Sequence, residues 1–249
     1  MDKEKIEPIV VITQPTYLSW LGYFEQLSRA DCVVFLDDVQ FERRSWQCRN
    51  RLKDHQGKPF WLTVPLKKQP RDTPINEILI SADNDDWKVH HMAQIQLSLG
   101  KAPFWGDVYS LLNDWLSASY LRLVDLNLSG IQMTAELLDI KPNWKFSSTL
   151  KVGSKKGCLI LDICKYVRAK RYYSAYGSKD YLDPLLPDFA DAGILVDFQK
   201  WQHPQYSQQG KGFVSHLAAI DAIANLGVEK VKEMFRNQGK GQSTVNKDS

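Results

Sequence analysis

The feature that most constrains this chain is a β-α-β pattern in its first 41 residues. An apolar run at 9–12 is followed, one helix length later, by a second apolar run at 32–36, and polar or turn-forming residues follow both. Two short strands separated by a helix pair in parallel, because parallel neighbours need a crossover connection. Ligands of open α/β sheets bind beyond the carboxyl ends of such strands. The block therefore predicts a ligand crevice as well as an α/β fold.

The middle of the chain predicts a β-hairpin and then helices. Strict alternation from Trp46 to Lys53 indicates a strand with basic side chains on one face. The run 60–66 is the second strand of the hairpin, and 75–80 is a further short strand. Apolar residues recur at helical spacing between 85 and 140, which predicts a helical insertion there.

The last hundred residues return to alternating strands and helices. Helices are predicted at 155–167 and 213–226, and strands at 171–174 and 193–198. We therefore predict an α/β fold with a Rossmann-like, nucleotidyltransferase-like parallel sheet core, to which both the N-terminal and C-terminal thirds contribute. A single domain covers 1–235, and a tail without apolar periodicity at 236–249 is predicted to be disordered.

Composition excludes several classes of protein. An apolar fraction of 43% and a charged fraction of 24% are ordinary for a globular domain, and no apolar run is long enough to span a membrane. The net charge of +3 is too small to indicate nucleic acid, so no DNA partner is expected. The four cysteines lack C-x-x-C spacing, which favours free thiols in a cytoplasmic protein over a zinc site.

The exit of the first strand carries the first candidate ligand-binding residues. Gln14 and Tyr17 offer an amide and a phenol, and Gly22 permits close backbone approach at the start of a helix. Trp20 lies between them and supplies an aromatic surface. The alternative is a structural turn in which Trp20 anchors the core.

The exit of the second strand carries Asp37, Asp38 and Gln40. Adjacent carboxylates there can position a substrate amine or accept its proton, and Gln40 can bind a hydroxyl group. A hydrated Mg²⁺ is one alternative role for the acids, although no second acidic motif supports a metal. A solvated acidic turn or a cap for the next segment is another.

The basic face of the predicted hairpin is a candidate phosphate site. Arg49, Arg51 and Lys53 alternate along it, with Asn50 between the arginines and with Arg43 and Arg44 just upstream. Planar guanidinium groups match phosphate and carboxylate geometry, so a nucleoside diphosphate or another anionic carrier is the candidate ligand. The alternative is a strand face that is merely solvated.

The C-terminal third supplies the predicted second wall of the crevice. His203 is the candidate base near neutral pH, against the alternative of a hydrogen-bonded structural histidine. Four other candidates follow a predicted strand, namely Gly177, Lys179, Asp180 and Tyr181. Tyr206 and Gln208 lie in the loop near His203. Asp221 and Asn225 share one face of the last predicted helix. Lys179 and Asp180 are candidate catalytic residues, and the rest are candidate binding residues.

Several motifs, in order, resemble the WbqC-like protein family over residues 8–227. They are V-V-I-T-Q-P-T-Y-L-S-W-L-G-Y-F, A-D-C-V-V-F-L-D-D-V-Q-F, S-W-Q-C-R-N-R-L-K, Y-Y-S-A-Y-G-S-K-D-Y-L and F-V-S-H-L-A-A-I-D-A-I-A-N-L-G. That family is known mainly from bacterial surface-polysaccharide and O-antigen gene clusters, often beside enzymes that make amino sugars. The resemblance implies a transferase that modifies a nucleotide-linked deoxyamino sugar by N-acyl or aminoacyl transfer. It also implies an acyl or aminoacyl donor, which is coenzyme A, a carrier protein or tRNA.

A fainter likeness to pantothenate synthetases suggests alternatives. Trp20 and Tyr23 stand where those enzymes carry the histidines that stabilise phosphate charge during adenylyl transfer. This departure argues against ATP activation. An ATP-dependent amide-forming ligase and a non-catalytic carrier-binding protein remain the alternative functions.

Overall fold

The computed structural model describes residues 8–81, 86–150, 152–153 and 157–240. The strands, in chain order, are β1 (Ile9–Thr13), β2 (Cys32–Phe35), β3 (Arg49–Lys53), β4 (Pro59–Thr63), β5 (Asn143–Phe146), β6 (Arg171–Ser174) and β7 (Leu195–Phe198). The helices are α1 (Leu21–Ser28), α2 (Trp87–Leu99), α3 (Trp105–Ser117), α4 (Leu123–Leu137), α5 (Ser147–Leu150), α6 (Gly157–Tyr166), α7 (Lys179–Leu182), α8 (Leu186–Asp191), α9 (Ala219–Leu226) and α10 (Val228–Lys240).

The described residues form two compact units. The sheet unit takes its residues from 8–14, 25–39 and 141–200, and the hairpin unit from 15–24, 40–140 and 201–240. The prediction of one domain over 1–235 stays a prediction.

The sheet unit is built on a five-stranded parallel sheet with the order β5-β2-β1-β6-β7. Val10, Val11, Val33 and Val34 are wholly buried, as expected of central parallel strands. Strands from both ends of the chain meet here, because β1 pairs with β2 on one side and with β6 on the other. The prediction of an α/β fold with a Rossmann-like parallel core is confirmed.

The hairpin unit combines the antiparallel pair β3-β4 with α2, α3, α4, α9 and α10. The turn between the strands is held by Asp54, whose Oδ1 accepts hydrogen bonds of 2.9 Å from the backbone N–H groups of Gln56 and Lys58. Leu52 and Leu62 are buried on the inner face of the hairpin. The predicted helices between 85 and 140 are confirmed as α2, α3 and α4.

Three predicted elements differ from the structure. The first hairpin strand begins at Arg49, because 46–48 form a turn. The predicted strand at 75–80 is instead a short 3₁₀ helix at Ile75–Glu77. The predicted helix at 213–226 begins only at Ala219. The tail predicted to be disordered, 236–249, overlaps the end of α10, since this helix continues to Lys240. The rest of the predicted tail, 241–249, lies outside the described residues.

Candidate functional site

The two acids at the exit of β2 contact the start of α5. Asp37 Oδ1 accepts a 3.0 Å hydrogen bond from the backbone N–H of Ser148, and Asp37 Oδ2 accepts one of 2.7 Å from its hydroxyl. Ser147 Oγ lies 3.2 Å from Asp37 Oδ1 and also contacts Asp38 Oδ1. Asp37 is buried, whereas Asp38 is exposed. The contacts of Asp37 are similar to those of a helix cap, and the catalytic role of both acids stays a prediction.

The other sheet-unit candidates lie at the exits of β1 and β6. Gln14 follows β1 and is half-buried. Lys179 Nζ pairs with Asp183 Oδ2 at 2.6 Å, and this partner raises the pKa of Lys179. The neighbouring candidates, Asp180 and Tyr181, are exposed, as is Gly177 in the short 3₁₀ turn before α7. Lys179 and Asp183 are four residues apart, so they form an ion pair across one helical turn at the surface.

In the hairpin unit, arginine and tryptophan side chains lie together on the hairpin. The Arg49 guanidinium lies 4.1 Å from the centre of the Trp61 ring, and that of Arg51 lies 5.5 Å from the same ring and 5.6 Å from Trp46. The two indoles are 5.4 Å apart, and each tryptophan is 43% exposed. We call these four residues the arginine–tryptophan face. Each arginine has a buried Nε atom without a hydrogen-bond partner among the described residues.

A cluster of aromatic rings adjoins Arg51. The backbone carbonyl of Arg51 accepts a 3.0 Å hydrogen bond from Ala218, which also bridges to Trp20. The Trp20 ring centre lies 5.0 Å from that of His216 and 6.3 Å from that of His203. The two imidazoles stack with their centres 4.8 Å apart. These rings form an aromatic surface next to Arg51 of the arginine–tryptophan face.

Both imidazoles of this cluster favour the uncharged form. Burial, and to a lesser degree His216, lowers the pKa of His203 to about 4. Partial burial and the Arg51 guanidinium lower the pKa of His216. Donors also lie 3.4 Å from each ring nitrogen of His203, namely Trp201 Nε1 and the His216 backbone N–H. A protonated imidazole would point N–H groups at both donors, so the geometry opposes its protonation.

A buried carboxylate lies under the loop that carries these histidines. Asp221 Oδ2 accepts hydrogen bonds from Tyr206 Oη at 2.7 Å and from Gln208 Nε2 at 3.1 Å. Burial raises the pKa of Asp221 to about 6, although these two hydrogen bonds and the charge of Lys53 oppose the rise. Asp221 Oδ1 has no partner among the described residues. The Lys53 ammonium is itself buried and donates to the carbonyls of Lys211 and Gly212.

Several predicted binding residues contact other parts of the hairpin unit, and all of these except the exposed Gln40 are buried. Tyr17 is wholly buried and its hydroxyl lies 2.8 Å from His91 Nδ1. Asn50 is buried and donates to the carbonyls of Tyr17 and Leu18. The remaining three support the backbone or a neighbouring ring: Gln40 donates to the Arg71 carbonyl, Asn225 donates to the Asp221 carbonyl, and Gly22 lies against the Trp20 indole, which would meet a Cβ at 2.2 Å. These residues shape the hairpin unit.

Sequence reasoning did not identify Trp46, Trp61 and His216 as site residues. Strict alternation placed Trp46 on the face opposite to the arginines, but it lies in the turn before β3, where strand periodicity does not hold. Trp61 is the cross-strand partner of Arg51, which only the register of the hairpin reveals. Within the part of the chain that the structure describes, no group of three or more potential ligands could hold a metal ion.

Comparison with known proteins agrees with the motifs. A profile of the WbqC-like protein family matches residues 14–233. The chain is similar to the uncharacterized protein Rv1507c of Mycobacterium tuberculosis (strain ATCC 25618 / H37Rv), with 28% identity over 227 residues, or 88% of this chain and 94% of the relative. No solved structure matches. Among the described helices, none has the length and apolar character needed to cross a membrane.

Proposed function

The chain belongs to the WbqC-like protein family, and on this premise we propose that it is a transferase acting on a nucleotide-linked amino sugar. The reaction is N-acyl or aminoacyl transfer during synthesis of a bacterial surface polysaccharide, in the cytoplasm. The amino-sugar substrate and the polysaccharide pathway are proposed from the gene clusters that the family resemblance implies. The hairpin unit supplies a binding surface that suits such a substrate.

The observation that carries the proposal is the arginine–tryptophan face. Arg49 and Arg51 are half-buried on the hairpin, and neither pairs with an acidic side chain among the described residues. Because no described acid neutralises these two charges, an anionic ligand is favoured there. Phosphate oxygens are acceptors that match the guanidinium geometry. The exposed indoles of Trp46 and Trp61 offer stacking surface for a flat nucleobase.

The cluster of Trp20, His203 and His216 contains a group that can accept the proton released when an amine is acylated. In the proposed step, the sugar amine attacks the carbonyl carbon of an acyl thioester or ester, a C–N bond forms, and the thiol or alcohol leaves. The proton released by the amine passes to the exposed imidazole of His216, which then returns it to the leaving sulfur or oxygen. His203 does not take this proton, because donors lie at both of its ring nitrogens; it stacks on the His216 ring and positions it.

The reaction can be tested with dTDP- and UDP-linked amino sugars. The protein is incubated with each sugar and with acyl or aminoacyl donors, with and without ATP, and the sugar mass is followed. We expect an acylated sugar without ATP. Release of AMP or ADP with the product would instead support an amide-forming ligase, and sugar binding without product would support a carrier-binding protein.

Matched variants test the binding surface. We expect Arg49→Ala and Arg51→Ala each to weaken nucleotide-sugar binding about 10- to 100-fold, because charge-assisted hydrogen bonds contribute about 1.5–3 kcal/mol. Arg122→Ala is the control, since Arg122 pairs with Asp125 on the exposed surface of the same unit. Titration calorimetry measures the Kd values. Equal affinity in all three variants would show that the face does not bind the substrate.

A further inference from the structure

A cavity lies in the hairpin unit, beside the start of β3 and the end of β4. It has a volume of about 260 Å³. Its floor is apolar and includes the buried side chains of Phe41, Val64 and Ile78, together with the half-buried Leu66. Whole small-molecule ligands usually occupy about 300–1,000 Å³, so a cavity of this size suits one arm of a larger ligand.

The rim of this cavity is basic. Arg43, Arg44, Lys67 and Lys68 line it and are exposed, and none of the described residues that line it is acidic. Arg43 Nη2 donates a 2.7 Å hydrogen bond to the Gln69 carbonyl, which fixes its guanidinium at the edge of the cavity. Four cations around an apolar floor form a site for an anion that carries an uncharged, partly apolar body.

The cavity adjoins the arginine–tryptophan face through one residue pair. Thr63 lines the cavity and is the cross-strand partner of Arg49. Side chains of directly opposed residues lie about 4.5–5.5 Å apart at their Cβ atoms. A ligand arm in the cavity would therefore end near the face that binds the nucleotide-linked sugar.

From these contacts we infer that the cavity binds the acyl donor of the reaction, and that this donor is a phosphopantetheine thioester. The inference rests on the proposed function and names the donor class. The phosphate lies among the four cations, and the arm and acyl group lie over the apolar floor. In the transfer, the sugar nitrogen bonds to the acyl carbon, the C–S bond breaks, and the free thiol remains on the arm. Coenzyme A and a carrier protein both present this arm.

Donor binding is measured alone, without any nucleotide sugar, by titration calorimetry of the full chain. The ligands are acetyl-coenzyme A, S-acetyl phosphopantetheine, S-acetyl pantetheine, inorganic phosphate and an acetylated carrier protein. We expect S-acetyl phosphopantetheine to bind at least about tenfold more tightly than either S-acetyl pantetheine or phosphate, because each lacks one half of the recognised structure. The coenzyme A and carrier-protein titrations then show which source of the arm is bound more tightly.

Two kinds of variant link binding to the cavity. We expect Lys67→Glu with Lys68→Glu to weaken binding of S-acetyl phosphopantetheine at least about tenfold. Lys58→Glu with Lys88→Glu is the control of equal charge change, because both lysines lie in the same unit but do not line the cavity. Leu66→Trp should fill the cavity and also weaken binding, with its thermal unfolding measured to confirm that it folds.

The outcomes separate this inference from the proposed function. Equal weakening by both charge pairs, or no preference for the phosphorylated arm, would overturn the donor site. If nucleotide-sugar binding still depends on Arg49 and transfer proceeds from aminoacyl-tRNA, the proposed function stands and only the donor class is wrong. If donor binding behaves as expected but no nucleotide sugar binds, the proposed function fails instead.

Discussion

His91 is an uncharged histidine in the core of the hairpin unit. Its Nδ1 lies 2.8 Å from the Tyr17 hydroxyl, and its ring packs against Trp87. Burial lowers the pKa of His91 to about 4; His90 lowers it further, and a backbone hydrogen bond with Thr63 opposes the shift. In the unfolded chain a histidine has a pKa of about 6.5. The unfolded state therefore binds more protons between these two values.

This difference predicts a loss of stability in acid. Between about pH 6.5 and pH 4, each pH unit should cost about 1.4 kcal/mol, and the stabilisation by neutral His91 is fully present only above the unfolded pKa. We therefore compare the free energy of unfolding of the unaltered protein with that of His91→Gln at pH 7 and pH 5. The advantage of the unaltered protein should shrink by about 2 kcal/mol at the lower pH. Urea unfolding followed by circular dichroism measures it.

The subtraction removes other titrating groups, including His203 and Asp221, whose shifts have opposite effects. Gln94→Ala is the control, because Gln94 is exposed on the same helix and its side chain does not titrate. Its stability difference should not change with pH. A constant difference for His91→Gln would contradict the low pKa.

Tyr17 shows a limit of sequence reasoning at the level of one residue. Its position after the first strand suggested a ligand-binding phenol, but the ring is wholly buried and lies 5.7 Å from the Trp115 ring. Both partners come from helices more than seventy residues away in the sequence. Local pattern identifies a polar tip, but not whether the fold supplies a buried hydrogen-bond partner for it.

At the level of elements, Asp37 joins the end of β2 to the start of α5. Its carboxylate accepts a hydrogen bond from the Ser148 backbone N–H and contacts the hydroxyls of Ser147 and Ser148. These residues are separated by about 110 positions in the sequence. The role of Asp37 and Asp38 as proton acceptors stays a prediction, and the contacts favour a structural role for Asp37.

We expect Asp37→Ala to lower the free energy of unfolding by about 1–2 kcal/mol, as the loss of a helix cap does. The folded variant should keep the kcat of the proposed transfer. Asp38→Ala is the matched control, because Asp38 is exposed and, among the described residues, its carboxylate contacts only the Ser147 hydroxyl. It should be less destabilising. Unchanged stability together with a lost kcat would restore the catalytic interpretation of Asp37.

Two glutamine side chains explain where predicted elements failed. Gln208 donates to the Val214 carbonyl and accepts from the Val214 N–H, both at 2.9 Å, which replaces the hydrogen bonds of a helix that would start at 213. Gln69 accepts from the Leu79 N–H at 2.7 Å and donates to the Glu77 carbonyl at 2.9 Å. Side-chain amides that satisfy the backbone in this way leave no periodic signal in the sequence.

The same cause limits prediction of the candidate site. Arg49 and Arg51 could be found from alternation, because a two-residue period places them on one face. The approach of His216 to His203 could not, because it depends on the irregular loop that Gln208 holds. Long apolar runs specified the parallel strands, since they tolerate burial on both faces.

At the level of the whole molecule, the small net charge conceals a local concentration. The chain carries +3, yet the segment 43–68 contains eight lysines and arginines and a single acid, Asp54. This segment supplies the arginines of the arginine–tryptophan face and the basic rim of the cavity. An average over the sequence therefore understated the attraction of this segment for phosphates.

The sheet unit depends on segments from both ends of the chain. Val10, Ile12 and Val34 from the N-terminal third pack with Ile163 and Tyr172 from the C-terminal third in one core. A fragment that ends at residue 140 keeps β1 and β2 but loses β5, β6 and β7. Both outer edges of the β1-β2 pair then lack partners, and two strands alone are marginally stable in water.

We therefore expect the backbone amides of 9–13 and 32–35 to exchange with solvent rapidly in the fragment 1–140. In a chain that ends at residue 240, the control, the same amides should be strongly protected, because they lie in central strands of the sheet. Hydrogen–deuterium exchange with mass spectrometry of peptides from these strands measures both. Helical signal from 87–137 in the fragment would not affect this comparison, since the readout is confined to β1 and β2. Protection of both strands in the fragment would show that the C-terminal third is not needed to form the sheet.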